Sequence, residues 1–216
     1  MMTPALTTAE PPSLRVIVAF VLAVSLVLFC AAASFTPYVN THWPCTGDDP
    51  HYVIMCVSLA RDGDLAVRNN YDREDYREFY KQPIDPHIKE GKNYSLHGIG
   101  LPLLATPWYM FLGGRQGVLY FINSLWALLA GLMAGVALKV TRSYLRSLLA
   151  VLSIAATVPL GVYAFYIFSD LMQGLFLLAS LMFILRGARR CNGWWWIAVG
   201  FLMAYFPWVH IKMLPP

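Results

Sequence analysis

Twenty consecutive positions, Val16 to Phe35, carry no charge. A helix of that length spans roughly 30 Å, the thickness of a bilayer's hydrocarbon core. In hydrocarbon the backbone must pair its own N–H and C=O groups, so such a run folds as a helix or joins a closed barrel. Further apolar runs follow at Val118–Val140, Leu148–Phe168, Leu171–Leu185 and Trp194–Val209. With 58% hydrophobic and 13% charged residues, the chain is too apolar for a soluble domain. The expectation is an all-α membrane protein with about five transmembrane helices. The first run follows a polar, proline-containing start that ends at Arg15, and Ala31-Ala32-Ala33 offers the small residues of a cleavage site. It is longer than a signal-peptide core and more spans follow, which favours a retained anchor.

The net charge of +4 is spread over scattered residues, so nothing resembles a nucleic-acid-binding stripe. Cys30 and Cys191 fall in or beside spans, and Cys45 and Cys56 lie in or near the first long loop. In an oxidising compartment the latter two can form a disulfide, a pairing that spacing alone leaves open. No CxxC or Cys/His spacing marks structural zinc.

Charge sets the expected orientation. Lys139, Arg142 and Arg146 lie between the second and third spans, and Arg186, Arg189 and Arg190 between the fourth and fifth. Both clusters, with residues 1–15, are expected in the cytoplasm of a plasma (inner) membrane protein. Residues 36–96 then form a long extracytoplasmic loop, and Ser169-Asp170 returns to the same side. Residues 101–112, interrupted by Pro102 and Pro107, are too few to span and read as a helix on the membrane surface. Within the loop, Pro50–Leu59 reads as a helix capped by Asp48 or Asp49. The charged, Tyr-rich stretch Asn69–Lys92 has no periodicity and is expected to be an ordered or partly mobile loop, not a packed domain.

Gly47-Asp48-Asp49-Pro50-His51-Tyr52 stands at the outer end of the first span. Adjacent carboxylates beside a bilayer are costly unless solvated, paired or in use. Helix capping accounts for them blandly. A functional account makes one of them a proton acceptor for an incoming hydroxyl, or a ligand for a divalent cation such as Mg or Mn. Asp170 is the single acidic residue after Glu90. It either caps the next span or supplies a second catalytic or metal-binding carboxylate to join Asp48. In Tyr94-Ser95-Leu96-His97-Gly98-Ile99-Gly100, the glycines permit close backbone approach and His97 offers a phosphate donor, unless the segment is merely a tight turn. His210 and Lys212 near the chain's end are either interfacial anchors beside Trp208 or phosphate contacts. Trp194-Trp195-Trp196 reads as an aromatic belt.

Together, Gly47–Tyr52, Arg61-Asp62-Gly63-Asp64-Leu65, Asp85-Pro86-His87 and Tyr94–Pro102 resemble the N-terminal part of a GT-C glycosyltransferase. The likeness is to bacterial relatives of protein O-mannosyltransferases and the lipid A aminoarabinose transferase, and it runs through residues 16–216. It implies inverting transfer of a sugar from a polyprenyl-phosphate donor to an acceptor at the outer membrane face. Asp48 would be the general base with Asp49 beside it, Asp170 the later acidic position, and His51, Tyr52, His97, His210 and Lys212 contacts to substrate or lipid phosphate. The GT-C pattern has more spans, so the chain is expected to be a truncated piece, or one that a second chain completes. Two other classes fit a multi-pass chain: a transporter subunit and a non-catalytic scaffold. The ionisable residues gather at one face and no repeat is evident, which weighs against transport.

Overall fold

The computed structural model describes residues 12–158, 160–190 and 193–210. Among them the chain is all-helical, and its only β pairing is two isolated bridges. Helix α1 (Leu14–His42) starts where the Ser13 hydroxyl accepts the Val16 N–H. It is followed by α2 (Asp49–Val57), a single π turn over Ser58–Asp62, and α3 (Arg68–Asp72). Then come α4 (Gly100–Phe111), α5 (Arg115–Thr141), α6 (Tyr144–Ala155), α7 (Leu160–Tyr163), α8 (Asp170–Arg190) and α9 (Gly193–Val209).

Among the described residues, three helices are long and apolar enough to cross a membrane: α1, α5 and the Asp170–Gly187 part of α8. Their flanks leave Leu22, Leu26, Val27, Leu177 and Leu181 exposed. Apolar surface of that extent belongs against lipid.

Helices α1 and α5 run antiparallel. Val21 meets Gly131 and Gly135, while Thr36, nearer the other end of α1, donates to Asn123 of α5. The contact is close because Gly131 and Gly135 present no side chain. A Cβ at 131 would lie 2.9 Å from the Val21 carbonyl oxygen, and one at 135 would lie 2.6 Å from a Val21 methyl. Small residues four apart commonly let membrane helices approach in this way.

The expected third span, Leu148–Phe168, is not one helix. Helix α6 stops at Ala155, a turn follows, and α7 has only 4 residues before irregular chain leads to Asp170. Thr157 binds the Ile154 carbonyl through its hydroxyl, and the sequence continues into Pro159, which disfavours helix at the residue before it. Even so, the segment returns from the Thr141 end of the bundle to the Asp49 end, where the Ile167 N–H bonds Asp49. Its inner part is buried, with the side-chain amide of Asn123 donating to the Ala164 carbonyl at 2.7 Å, while Ala156, Thr157 and Val158 at the turn are exposed. Irregular chain buried in protein is tolerated at membrane depth. Helix α9, at 17 residues, then packs antiparallel on α8 and ends against Gly98 and Gly100.

The bundle therefore has two chemically distinct ends. Arg15, Lys139, Arg142 and Arg186 gather at one, and Asp48, Asp49, Asp170 and His210 at the other. Residues 101–112 are expected as a surface helix, and the chain is helical there as α4. It buries Leu101, Ala105 and Tyr109 in the core and exposes Leu103, Leu104, Met110 and Phe111.

The stretch after α2 is ordered by packing onto that helix. Ile54, Met55, Val67, Tyr71 and Tyr76 are buried together, with Ile84, Ile88 and Ile99 against them. Charge organises its outer side, where Asp62 accepts from Asn69, Asn70 and Arg73 at 3.1, 2.7 and 2.8 Å. No hydrophobic periodicity announces this core because its apolar residues are scattered between positions 54 and 99.

Candidate functional site

The two adjacent aspartates face opposite ways. Asp49 is fully buried at the start of α2. One carboxylate oxygen accepts from the Arg115 guanidinium at 3.0 Å, and the other accepts from the Ile167 N–H at 2.9 Å. Arg115, also buried, reaches Asn40 of α1 as well. Burial raises the Asp49 carboxyl, while Arg115, the Cys45 thiol and the Ile167 N–H pull it back. Burial likewise raises the Cys45 thiol, reinforced by the Asp49 charge. Asp49 thus ties α1, α2, α5 and the segment before α8 together, and it has no face on the open cavity described next. Cys45 and Cys56 are both free, so the pairing that their spacing left open is not made.

Asp48 occupies the N-cap position of α2, yet its side chain makes no capping hydrogen bond. The capping job is left to its backbone carbonyl, which accepts from the His51 and Tyr52 N–H groups at 3.1 Å each. Asp48 lines instead a cavity of about 250 Å³, together with Tyr52, Phe168, Ser169, Asp170, Gln173 and His210. The structure therefore unites Asp48, Tyr52, Asp170 and His210, four residues more than 30 positions apart except for the first two. Asp170 opens α8 and is exposed, with Ser169 just before it; the Ser169 hydroxyl accepts from the Gln173 amide at 2.9 Å. Tyr52 is held by the Ser169 hydroxyl, and burial raises its phenol against that contact.

Behind Asp48 lie three imidazoles. The His97 Nδ1 is 3.8 Å from an Asp48 carboxylate oxygen, and the His97 Nε2 is 3.0 Å from His87 Nδ1. The His51 and His87 rings stack with centroids 3.7 Å apart and planes 9° from parallel. His51 Nδ1 is bonded to the Tyr71 hydroxyl at 2.7 Å. Burial, with the neighbouring His87 and His97, lowers His51 from its ordinary 6.5 to about 3. His97 is lowered too, by burial first, with Asp48 opposing and His87 and His210 adding to the effect. Of the expected phosphate contacts, His51 is thus sequestered behind Asp48, and Lys212 lies outside the described residues.

The glycines of the Tyr94–Pro102 segment serve close approach, but to protein. A Cβ on Gly100 would lie 2.9 Å from the Trp208 backbone, and Gly98 is packed onto Val209 more tightly still. The Tyr205 hydroxyl donates to the Gly100 carbonyl at 3.0 Å. This clamp fixes the end of α9, and with it His210, beside His97.

A second hollow of about 580 Å³ lies on the other side of Arg115, lined in part by Trp43, Phe79, Tyr80, Lys81 and Tyr109. Its one acidic side chain, Glu78, is engaged by Arg61 at 2.7 Å, so it lacks the open carboxylates of the smaller cavity.

Three residues central to this geometry were not singled out by the sequence reading as site residues. Arg115 had a signal: it is the single charged residue between Lys92 and Lys139, at the mouth of a span. His87 stands in Asp85-Pro86-His87, one of the segments that carry the GT-C resemblance, but with no role attached to it; Tyr71 had no signal, because its neighbours in space are distant in sequence.

By fold and site, the protein is, among its described residues, a helical membrane protein with a cavity bearing two carboxylates at one end of its bundle and a histidine cluster beside it. Comparison with protein-family models, curated proteins and solved structures finds no match.

Proposed function

We propose that the chain forms the carboxylate-bearing part of a membrane transferase that moves a sugar from a polyprenyl-phosphate donor to an acceptor at the extracytoplasmic face. The observation that carries this reading is that Asp48, whose side chain makes no cap, lines the same cavity as Asp170 at the end of the bundle opposite Arg15, Lys139, Arg142 and Arg186. Basic flanks favour the cytoplasm, which sets the cavity outside and the amino terminus inside. Five passes then cross the bilayer: α1, α5, α8, α9 and the broken segment 144–169.

In this reading Asp48 accepts the proton of an acceptor hydroxyl as its oxygen attacks the anomeric carbon. The bond from that carbon to the phosphate oxygen breaks, the electron pair leaves with polyprenyl phosphate, and the configuration inverts. General-base help of this kind is worth about 10²–10⁴-fold in rate. His97 positions the Asp48 carboxylate, and Tyr52 and His210 offer hydrogen bonds to the sugar and phosphate. Asp170 holds the far side of the cavity, as a partner to the sugar hydroxyls or as a ligand to a divalent cation shared with Asp48.

The test is photocrosslinking in native membranes with a polyprenyl-phosphate sugar whose lipid carries a diazirine near the phosphate. Labelling concentrated on residues 168–173 and 205–210 is the expected result. Labelling spread evenly along the lipid-facing flanks of α1 and α8 would overturn the reading.

A further inference from the structure

The histidines behind Asp48 come from three places: the first turn of α2, the loop at residue 87, and the turn at residue 97. One ring nitrogen from each lies within 4.8 Å of the others. Three imidazoles do not converge by chain connectivity alone, and here the scaffold that brings them together is braced. An isolated bridge joins Ile88 to Ser95, and the Leu96 N–H donates to the His87 carbonyl at 2.9 Å. The Ser95 hydroxyl accepts from the His97 N–H at 3.1 Å. His51 is fixed by the α2 backbone and by Tyr71, whose hydroxyl also meets the His87 backbone.

We propose that His51, His87 and His97 bind one transition-metal dication of the zinc type, with Asp48 and Tyr71 as the outer partners that orient the rings. Imidazole nitrogens suit zinc and its neighbours far better than they suit magnesium or calcium. Three protein ligands leave the fourth tetrahedral position for water or a substrate oxygen.

The assignment of nitrogens follows from the hydrogen bonds. His87 Nδ1 and His97 Nε2 share one proton across 3.0 Å, close to the roughly 3.3 Å between two nitrogens on one tetrahedral zinc. To bind the metal, the donor ring carries its proton on its other nitrogen instead, so both imidazoles stay neutral and each presents a lone pair. Tyr71 occupies His51 Nδ1, which leaves Nε2 as the lone-pair nitrogen. The three nitrogens, within 4.8 Å of one another, have to close towards that tetrahedral spacing, and side-chain rotation of His87 and His97, which are only half-buried, supplies it while Tyr71 keeps His51 in place. On the far side of His97, Nδ1 faces Asp48 at 3.8 Å. A carboxylate on the distal nitrogen of a ligating histidine fixes its tautomer and raises its basicity. The pattern differs from the Asp48–Asp170 cation that the sequence pointed to, since it uses nitrogen donors and leaves both carboxylates outside the first shell.

The site is tested by zinc binding, which stands apart from sugar transfer and remains informative if the transfer reading fails. The full chain, purified without a polyhistidine tag and stripped with a chelator, is titrated with zinc alone against a competing chelator. One zinc per chain is expected. His87→Gln and His97→Gln should each weaken binding by more than about 100-fold, and Asp48→Asn by the outer-partner effect of about 10–100-fold. His42→Gln, at the end of α1 and outside the cluster, should leave it unchanged. X-ray absorption on the zinc-loaded wild type reads the ligands without any substitution, and three imidazole nitrogens at about 2.0–2.1 Å are expected. A wild type that retains no zinc overturns the site. So does a first shell containing sulfur or fewer than three imidazoles, or binding that survives both histidine substitutions.

Discussion

At the scale of single residues, Asp48 and Asp49 show how one step along a helix start separates two roles. Asp49, first in α2, points inward to a buried guanidinium, whereas Asp48 remains at the rim. The Asp49–Arg115 pair joins four segments, and removal of one partner strands a buried charge, which costs about 3–5 kcal/mol. Arg115→Met is therefore expected to lower the unfolding temperature sharply. The double variant Asp49→Asn with Arg115→Met should recover part of the loss, because neither charge is then left alone. A thermal-unfolding cycle in detergent checks this; single variants as stable as wild type would deny the pair its structural role.

Among the elements, the α1–α5 contact depends on absent side chains. Gly131→Leu would drive a branched side chain into the α1 backbone, with a cost of about 1–3 kcal/mol or more in a contact with no spare volume. Gly200→Leu, in α9 where nothing lies within 4 Å, serves as its control and should be neutral. Comparison of the two by unfolding in detergent tests whether α1 and α5 meet here. The loop core behaves differently, because its outer side is held by charge. Asp62 is kept below the usual carboxylate range, chiefly by Asn70 and then by Arg73. Its contribution is present above the ordinary value of 3.8 and is lost as pH falls through the lowered one. Amide exchange across residues 62–78, corrected for its intrinsic pH dependence, should quicken below that range in wild type and be already faster at neutral pH in Asp62→Ala. Exchange that is insensitive to both changes would separate Asp62 from the loop's stability.

For the molecule as a whole, the sequence makes the membrane class legible and the chemistry only partly so. Val16–Phe35 and Val118–Val140 fall inside α1 and α5 because uncharged length leaves a chain little choice. Leu148–Phe168 misleads for an equally physical reason: apolar composition reports burial or lipid, while the turn at residues 156–158 is set by local chemistry. Asp48, Asp170 and His210 were legible as polar residues at the ends of apolar runs, and the structure gathers them around one cavity. The partition of Asp48 from Asp49 depends on which way the first turn of α2 faces, and the histidine cluster on contacts between positions 51, 87 and 97. Neither leaves a local signature.

The central claim is that the Asp48 carboxylate does chemistry on a lipid-linked sugar, and transfer itself tests it most directly. Membranes from cells carrying the gene at its native locus are supplied with labelled polyprenyl-phosphate sugars, and wild type is compared with Asp48→Asn at matched protein levels. Transfer in the wild type, with a loss of about 10²–10⁴-fold in Asp48→Asn and donor crosslinking retained, is the predicted result. Equal transfer by both would contradict the account, as would wild-type membranes that crosslink the donor and transfer nothing.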